Sequence, residues 1–237
     1  MRALITVFGK EFLQIRRNTG LLFGLIAPIF FVFLYAGMVA SRNNTPWVFP
    51  AAMLYTMLGI APLSYNSFGL EATGVQFYFL APIRLRDVFL AKNLVNFLLA
   101  AIEVAVVLVV VARIAAVPSA ATLIATVLWT FATLLLTTTL GNRRSITTPK
   151  KIDLGRTVSK QASQMSALIA FGVLLGSAAV GGGFLLLAMY LDKQWILLPI
   201  FLVFTGCAFL VYRQGLRSID AFTLAHRDGL FEELCKK

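Results

Sequence analysis

Glu103 stands in the middle of LLAAIEVAVVLVV, a run that is otherwise apolar and uncharged. A charge at the centre of a bilayer costs about 2.5–3.5 kcal/mol or more, so such a group is rarely placed there without a role. Two readings stand side by side. Glu103 belongs to a translocation path or helix interface, where it meets a cationic or hydrogen-bonding substrate. Alternatively, it is a protonated carboxyl bonded to a Ser, Thr or Asn of a neighbouring helix. The remaining reactive chemistry is sparse. There is one histidine, His226, and there are two cysteines, Cys207 in an apolar run and Cys235 in a polar tail. Neither a disulfide nor metal-ligand spacing is predicted. An integral membrane enzyme would need clustered His, Asp or Cys at one membrane face. A proton relay would want more than one intramembrane carboxylate. The G-x-x-x-x-G-K-[ST] pattern that cradles nucleotide phosphates does not occur.

The elements that must position these residues are legible in the composition. The chain of 237 residues is 59% hydrophobic and 13% charged, whereas soluble domains run at about 45–50% apolar and about 25% charged. Six apolar segments, at residues 20–40, 48–68, 94–111, 120–140, 166–187 and 195–212, are each near the length a helix needs to cross the hydrocarbon core. The predicted fold is therefore an all-α integral membrane domain occupying 1–237, with six transmembrane helices.

The net charge of +11 could suggest a nucleic-acid partner, but such a binder needs its basic face on a folded soluble surface. Positive-inside topology explains the charge better. Of the 21 Lys and Arg residues, 18 fall before the first segment, between the second and third, between the fourth and fifth, and after the sixth. Only Arg42, Arg113 and Lys193 fall in the other gaps. This asymmetry predicts both termini in the cytoplasm and short external loops. The N-terminal residues have no compact apolar core with a cleavage site and do not read as a removed signal peptide.

Residues 1–18 are amphipathic. Leu4, Ile5, Phe8, Phe12 and Ile15 share an arc, Glu11 and Leu13 break the pattern, and a helix in the membrane interface is predicted. Two basic gaps, 71–93 and 141–165, are longer than a turn requires. The first holds the uncharged aromatic stretch VQFYFL, followed by the helix-breaking Pro82. Its aromatics pack either against lipid headgroups or against a partner protein. The second, GNRRSITTPKKIDLGRTVSKQAS, holds six basic residues, more than topology needs. In GVLLGSAAVGGG, Gly172 and Gly176 form G-x-x-x-G and Ser177 and Gly181 extend a small face for close helix packing. The Gly181-Gly182-Gly183 run also permits a break.

Four stretches together resemble the ABC-2 type permeases, the membrane subunits of ATP-binding cassette exporters. They are KEFLQIRRNTGLLFGLIAPIFFVFLY, YNSFGLEATGVQFYFLAPI, PIRLRDVFLAKNL and GNRRSITTPKKIDLGRTVSKQAS, with its S-I-x-x-P-x-K-I-D frame and GR pair. The resemblance covers most of the chain in order and spacing. It implies a non-catalytic subunit of the cell membrane, a bacterial inner membrane, that forms half of a translocation pathway with a second permease copy or a paralogue. It implies two copies of a separate ATPase as partners, with ATP and Mg bound on those subunits and no cofactor bound directly. By matching position, Gly74, Gln76, Phe77, Tyr78, Phe79 and Leu80 would form the main ATPase-coupling segment. Pro149, Lys150, Lys151, Asp153, Gly155 and Arg156 would form a second contact. The alternative is a secondary carrier or channel-type multi-pass protein, for which a single Glu is thin support.

Overall fold

The computed structural model describes residues 2–17, 47–69, 71–114, 118–151 and 163–235, together with Ile26, Phe30, Phe33 and Leu34. Every regular element among them is helical. Among the described residues, five helices are long and apolar enough to cross a membrane: α2 (Val48–Tyr65), α4 (Leu85–Ile114), α5 (Ala120–Thr147), α6 (Gln164–Tyr190) and α7 (Leu197–Ala225). Three shorter helices are α1 (Arg2–Arg17), α3 (Val75–Leu80) and α8 (Arg227–Cys235). The predicted first span, 20–40, lies outside the described residues except for those four side chains, which are helical and exposed.

Two expected boundaries move. The third span was expected to begin near residue 94, but α4 starts at Leu85, so the polar stretch LRDVFLAKN is its first turns rather than linker. Nothing after Pro82 breaks the helix, and Asp220 caps it, accepting from Arg86 N at 2.7 Å in the manner of an N-terminal carboxylate. Likewise α5 continues to Thr147, so the first residues of the 141–165 gap are helix and not loop. Thr138 and Thr139 do not interrupt it, because their hydroxyls donate to the carbonyls of Leu134 and Leu135 one turn back (2.8 and 2.7 Å).

Helices α2 and α5 form the centre: 61% of the apolar window of each is buried, against 22% for α6 and for α7. Helix α5 packs on α7 and α2, and α2 packs on α4 and α6. The inward side of α6 is a seam of Ser166, Ala170, Leu174, Ser177, Gly181, Leu185 and Ala188, the three-four spacing of a helix that meets neighbours along one stripe. The α2–α5 crossing depends on a missing side chain. A Cβ on Gly141 would lie 2.8 Å from the Ser64 carbonyl carbon and oxygen.

Overpacking of a rigid backbone contact costs about 1–3 kcal/mol. Gly141→Ala should therefore lower the thermal unfolding midpoint of the detergent-purified protein. Gly206→Ala, where the added methyl has open space, should leave it unchanged.

Candidate functional site

The segments on either side of α2, α4 and α5 that carry most of the basic residues meet at one end of the bundle. Helix α1 lies along α4. Its Val7 and Glu11 are buried and Leu4 and Phe8 pack on the same core, while Ile5, Phe12 and Leu13 face outward. The helix is formed as expected, but the predicted arc is divided: Leu4 and Phe8 turn to the bundle while Ile5 and Phe12 face away from it. Glu11, which spoiled the pattern on the helical arc, is the residue that anchors it.

Lys92, 4% exposed, projects from α4 between two carboxylates: its Nζ donates to Glu11 Oε1 at 2.7 Å and to Glu71 Oε1 at 2.8 Å. Lys10 completes the cluster. It pairs with the other oxygen of Glu71, lies 3.4 Å from Glu11 Oε1 and donates to Tyr78 Oη at 2.8 Å. Tyr78 in turn donates to Glu71 Oε1 at 2.8 Å. Two lysines and two glutamates thus cancel at a site shared by α1, the turn before α3, α3 itself and α4. Burial works against ionisation of Glu71, but Lys92 and Lys10 outweigh it and hold the carboxyl well below the usual range. Burial pushes Glu11 upward despite Lys92, and the neighbouring Glu71 charge adds to the rise. Burial, then the two carboxylates, push the Tyr78 phenol up, so it remains a donor.

Helix α3 is held from three sides. The backbone reaches it through Ala72, which sits at φ 46° in the left-handed region, followed by a single 3₁₀ turn ending at Gly74. Val75 and Tyr78 point into the core. Phe79 meets Phe231 of α8 edge to face, ring centroids 5.0 Å apart, and Gln76 Nε2 donates to Cys235 Sγ at 3.2 Å. The helix stops where Pro82 forces Ala81 to an extended ψ of 146°. What remains outward is Phe77, 73% exposed, and Leu80, 80% exposed. The sequence reading treated Phe77-Tyr78-Phe79 as one aromatic knob. Helical geometry divides it, since residues 100° apart around an axis face different neighbours.

The second basic segment is fastened to the first. The Asn66 side chain, just past α2, donates to Lys150 O at 2.8 Å and accepts from Lys150 N at 2.9 Å. Phe68 N donates to Ser145 Oγ at 3.0 Å. Pro149 is buried and Lys151 exposed; Asp153, Gly155 and Arg156 lie outside the described residues.

Elsewhere, Glu103 is 3% exposed and neither carboxyl oxygen has a hydrogen-bond partner among the described residues. The expected small face of α6 splits in two. Gly181 lies inward, where a Cβ would come within 2.3 Å of the Trp129 ring; Gly172 and Gly176 face outward, with nothing within 4 Å. The five-residue offset from Gly176 to Gly181 rotates them too far apart to share a stripe. Sequence reasoning missed Glu11, Glu71, Lys92 and Asn66 as site residues. The available signal was Glu11, the charge that breaks the apolar arc of α1.

Residues 1–214 match the model of a family described as membrane protein of 12 TMs. No curated protein and no solved structure matches the chain.

Removing one partner of a buried pair costs about 3–5 kcal/mol because the remaining charges are uncompensated. Lys92→Met should therefore destabilise the protein severely in thermal unfolding, and adding Glu11→Gln and Glu71→Gln should recover part of the loss. Since Lys92 and Lys10 together pull the Glu71 carboxyl down, whereas burial outweighs Lys92 at Glu11, Glu71→Gln alone should lower the midpoint more than Glu11→Gln. An unpartnered buried carboxyl costs about 1–3 kcal/mol, so Glu103→Leu should raise the midpoint. If Glu103 serves transport, that gain comes with a loss of transport activity.

Proposed function

The chain belongs to the family of membrane proteins of 12 TMs, and on that premise we propose that it is the permease subunit of an ATP-driven exporter, coupled to a separate ATPase. The basic end of the bundle faces the cytoplasm, as the distribution of Lys and Arg requires. Helix α3 is the element that receives motion from the ATPase. The observation that carries this reading is the mounting of α3: Tyr78 is tied into a buried charge cluster with α1 and α4, Phe79 is backed by α8, and Phe77 and Leu80 are left as an apolar pair aimed away from the bundle. A rigid-body push needs a packed element, and two large apolar side chains on a charged end of the molecule suit a hydrophobic cleft in a partner. The Asn66–Lys150 clasp passes displacement of α3 on to the Pro149 segment, the second ATPase contact.

Twelve spans are reached with a second copy or a paralogue. The outward Gly172 and Gly176 of α6 suit close helix approach at that boundary. ATP and Mg are bound by the ATPase subunits, and this chain carries no catalytic step. The secondary-carrier reading draws its support from Glu103, buried without a hydrogen-bond partner among the described residues.

Affinity purification of the chain from its native membranes should recover an ATP-hydrolysing subunit. Phe77→Asp with Leu80→Asp should reduce the recovered ATPase by about tenfold or more, the size expected for a hot-spot pair, with the membrane yield of the chain unchanged. A preparation without ATPase activity, or one equally active with the double substitution, overturns the coupling assignment. ATP-independent uptake into proteoliposomes that is abolished by Glu103→Gln would favour the carrier.

A further inference from the structure

At the end of the bundle opposite the charge cluster lies a cavity of about 170 Å³, partly open to the outside. Its walls come from four helices at the same depth: Trp47 and Leu54 of the α2 end, Trp129 of α5, Leu185 of α6, and Leu197 and Phe201 of α7. Among the described residues its polar lining is satisfied internally. The Thr126 hydroxyl donates to Thr122 O at 2.7 Å, and Trp129 Nε1 donates to Ser177 O at 3.1 Å. A water needs two to four polar partners to stay in such a place, whereas an engineered dry cavity of about 150 Å³ lined by Leu, Ile and Phe takes up benzene. The cavity is also shaped by specific choices. Gly181 lets the Trp129 indole lie against α6 where any side chain would collide, and Thr133 bonds Ser177 beneath it. The indole therefore forms a fixed wall, and apolar surface that a neighbouring helix could have filled stays open.

We propose that this cavity is a binding site for hydrocarbon, filled by the end of an acyl chain from the adjoining leaflet or by an apolar group of a cargo molecule entering from that leaflet. The site stands on the helix packing and not on the ATPase coupling of α3, so either can fail without the other. Its chemistry excludes charged and strongly hydrogen-bonding groups, for which the walls offer no free partner among the described residues. An apolar group entering it gains dispersion contacts with two indole rings and with Leu and Phe side chains.

The chain has three tryptophans, and Trp129 is 6% exposed while Trp195 is 66% exposed, which makes indole fluorescence the probe. A variant with Trp47→Phe and Trp195→Phe keeps Trp129 as the sole emitter. It is placed in phosphatidylcholine vesicles with acyl chains brominated at mid-chain or near the methyl end, and separately in unbrominated vesicles with added bromobenzene. Buried Trp129 should be quenched to a degree comparable with that of a variant retaining only exposed Trp195. Ala178→Phe, which fills the cavity from α6, should at least halve the quenching of Trp129 and leave that of Trp195 unchanged. Leu54→Phe provides a second filling variant should Ala178→Phe fail to fold, with far-ultraviolet circular dichroism as the check. Quenching by brominated lipid assigns the site to acyl chains. Quenching by bromobenzene alone assigns it to compact apolar molecules. Trp129 emission insensitive to both, or quenched equally with and without the filling residues, overturns the proposal.

Discussion

Lys92 is the point on which the architecture at the basic end depends. An ammonium placed inside a helix bundle is tolerated only where opposite charge and hydrogen-bond acceptors surround it. Here Glu11 comes from α1 and Glu71 from the turn after α2, and Lys10 restores neutrality. Buried ion pairs add little net stability against apolar residues of equal volume, because desolvation consumes most of the Coulomb gain. Their contribution is directional. Leu4, Val7 and Phe8 alone would hold α1 against α4 at several registers, since apolar contact is not directional. The pairs formed by Lys10 and Glu11 select one.

That selection decides what α3 presents. Once Tyr78 is committed to Glu71 and Lys10, and Phe79 to Phe231, helical rotation leaves Phe77 and Leu80 without a place in the core. The exposed apolar pair is therefore a consequence of the charge cluster and not an independent surface feature. Asp220 adds a further tie, since by capping α4 from α7 it links the far end of the last long helix to the base of the third span. Helix α3 is thus joined to α1 and α4 through short, charge-assisted bonds, which yield less than van der Waals contacts.

Much of this was legible in the sequence, and what was not shares a physical cause. Apolar run lengths predicted the five long helices found among the described residues, the segment at 20–40 lying outside them, and Pro82 predicted the end of α3 and the extended Ala81. The distribution of Lys and Arg predicted which connections would gather at one end. The cluster itself could not be read, because Glu11, Glu71 and Lys92 are distant in the chain and are joined only by tertiary packing. Asn66 could not be singled out for the same reason, since Lys150 is 84 residues away. The small residues of α6 misled in another way: counting them as one set ignored that a helix turns, so Gly181 faces Trp129 while Gly172 and Gly176 face away. Span boundaries at α4 and α5 moved because polar residues near a membrane surface continue a helix as readily as apolar ones where no breaker intervenes.

The Asn66 clasp has a bearing on how the chain assembles. Its two hydrogen bonds reach a peptide 84 residues away in sequence, and α3, α4 and α5 all lie between. Closing so long a loop comes at an entropic cost, which two neutral hydrogen bonds do not meet alone. The clasp therefore closes only after α2, α4 and α5 have been inserted and packed. Until then the Asn66 amide and the Lys150 peptide stay solvated and the two basic connections are independent of each other. Their fastening marks a bundle whose central helices are already in place, which separates the order of membrane insertion from the order in which the basic end acquires its shape.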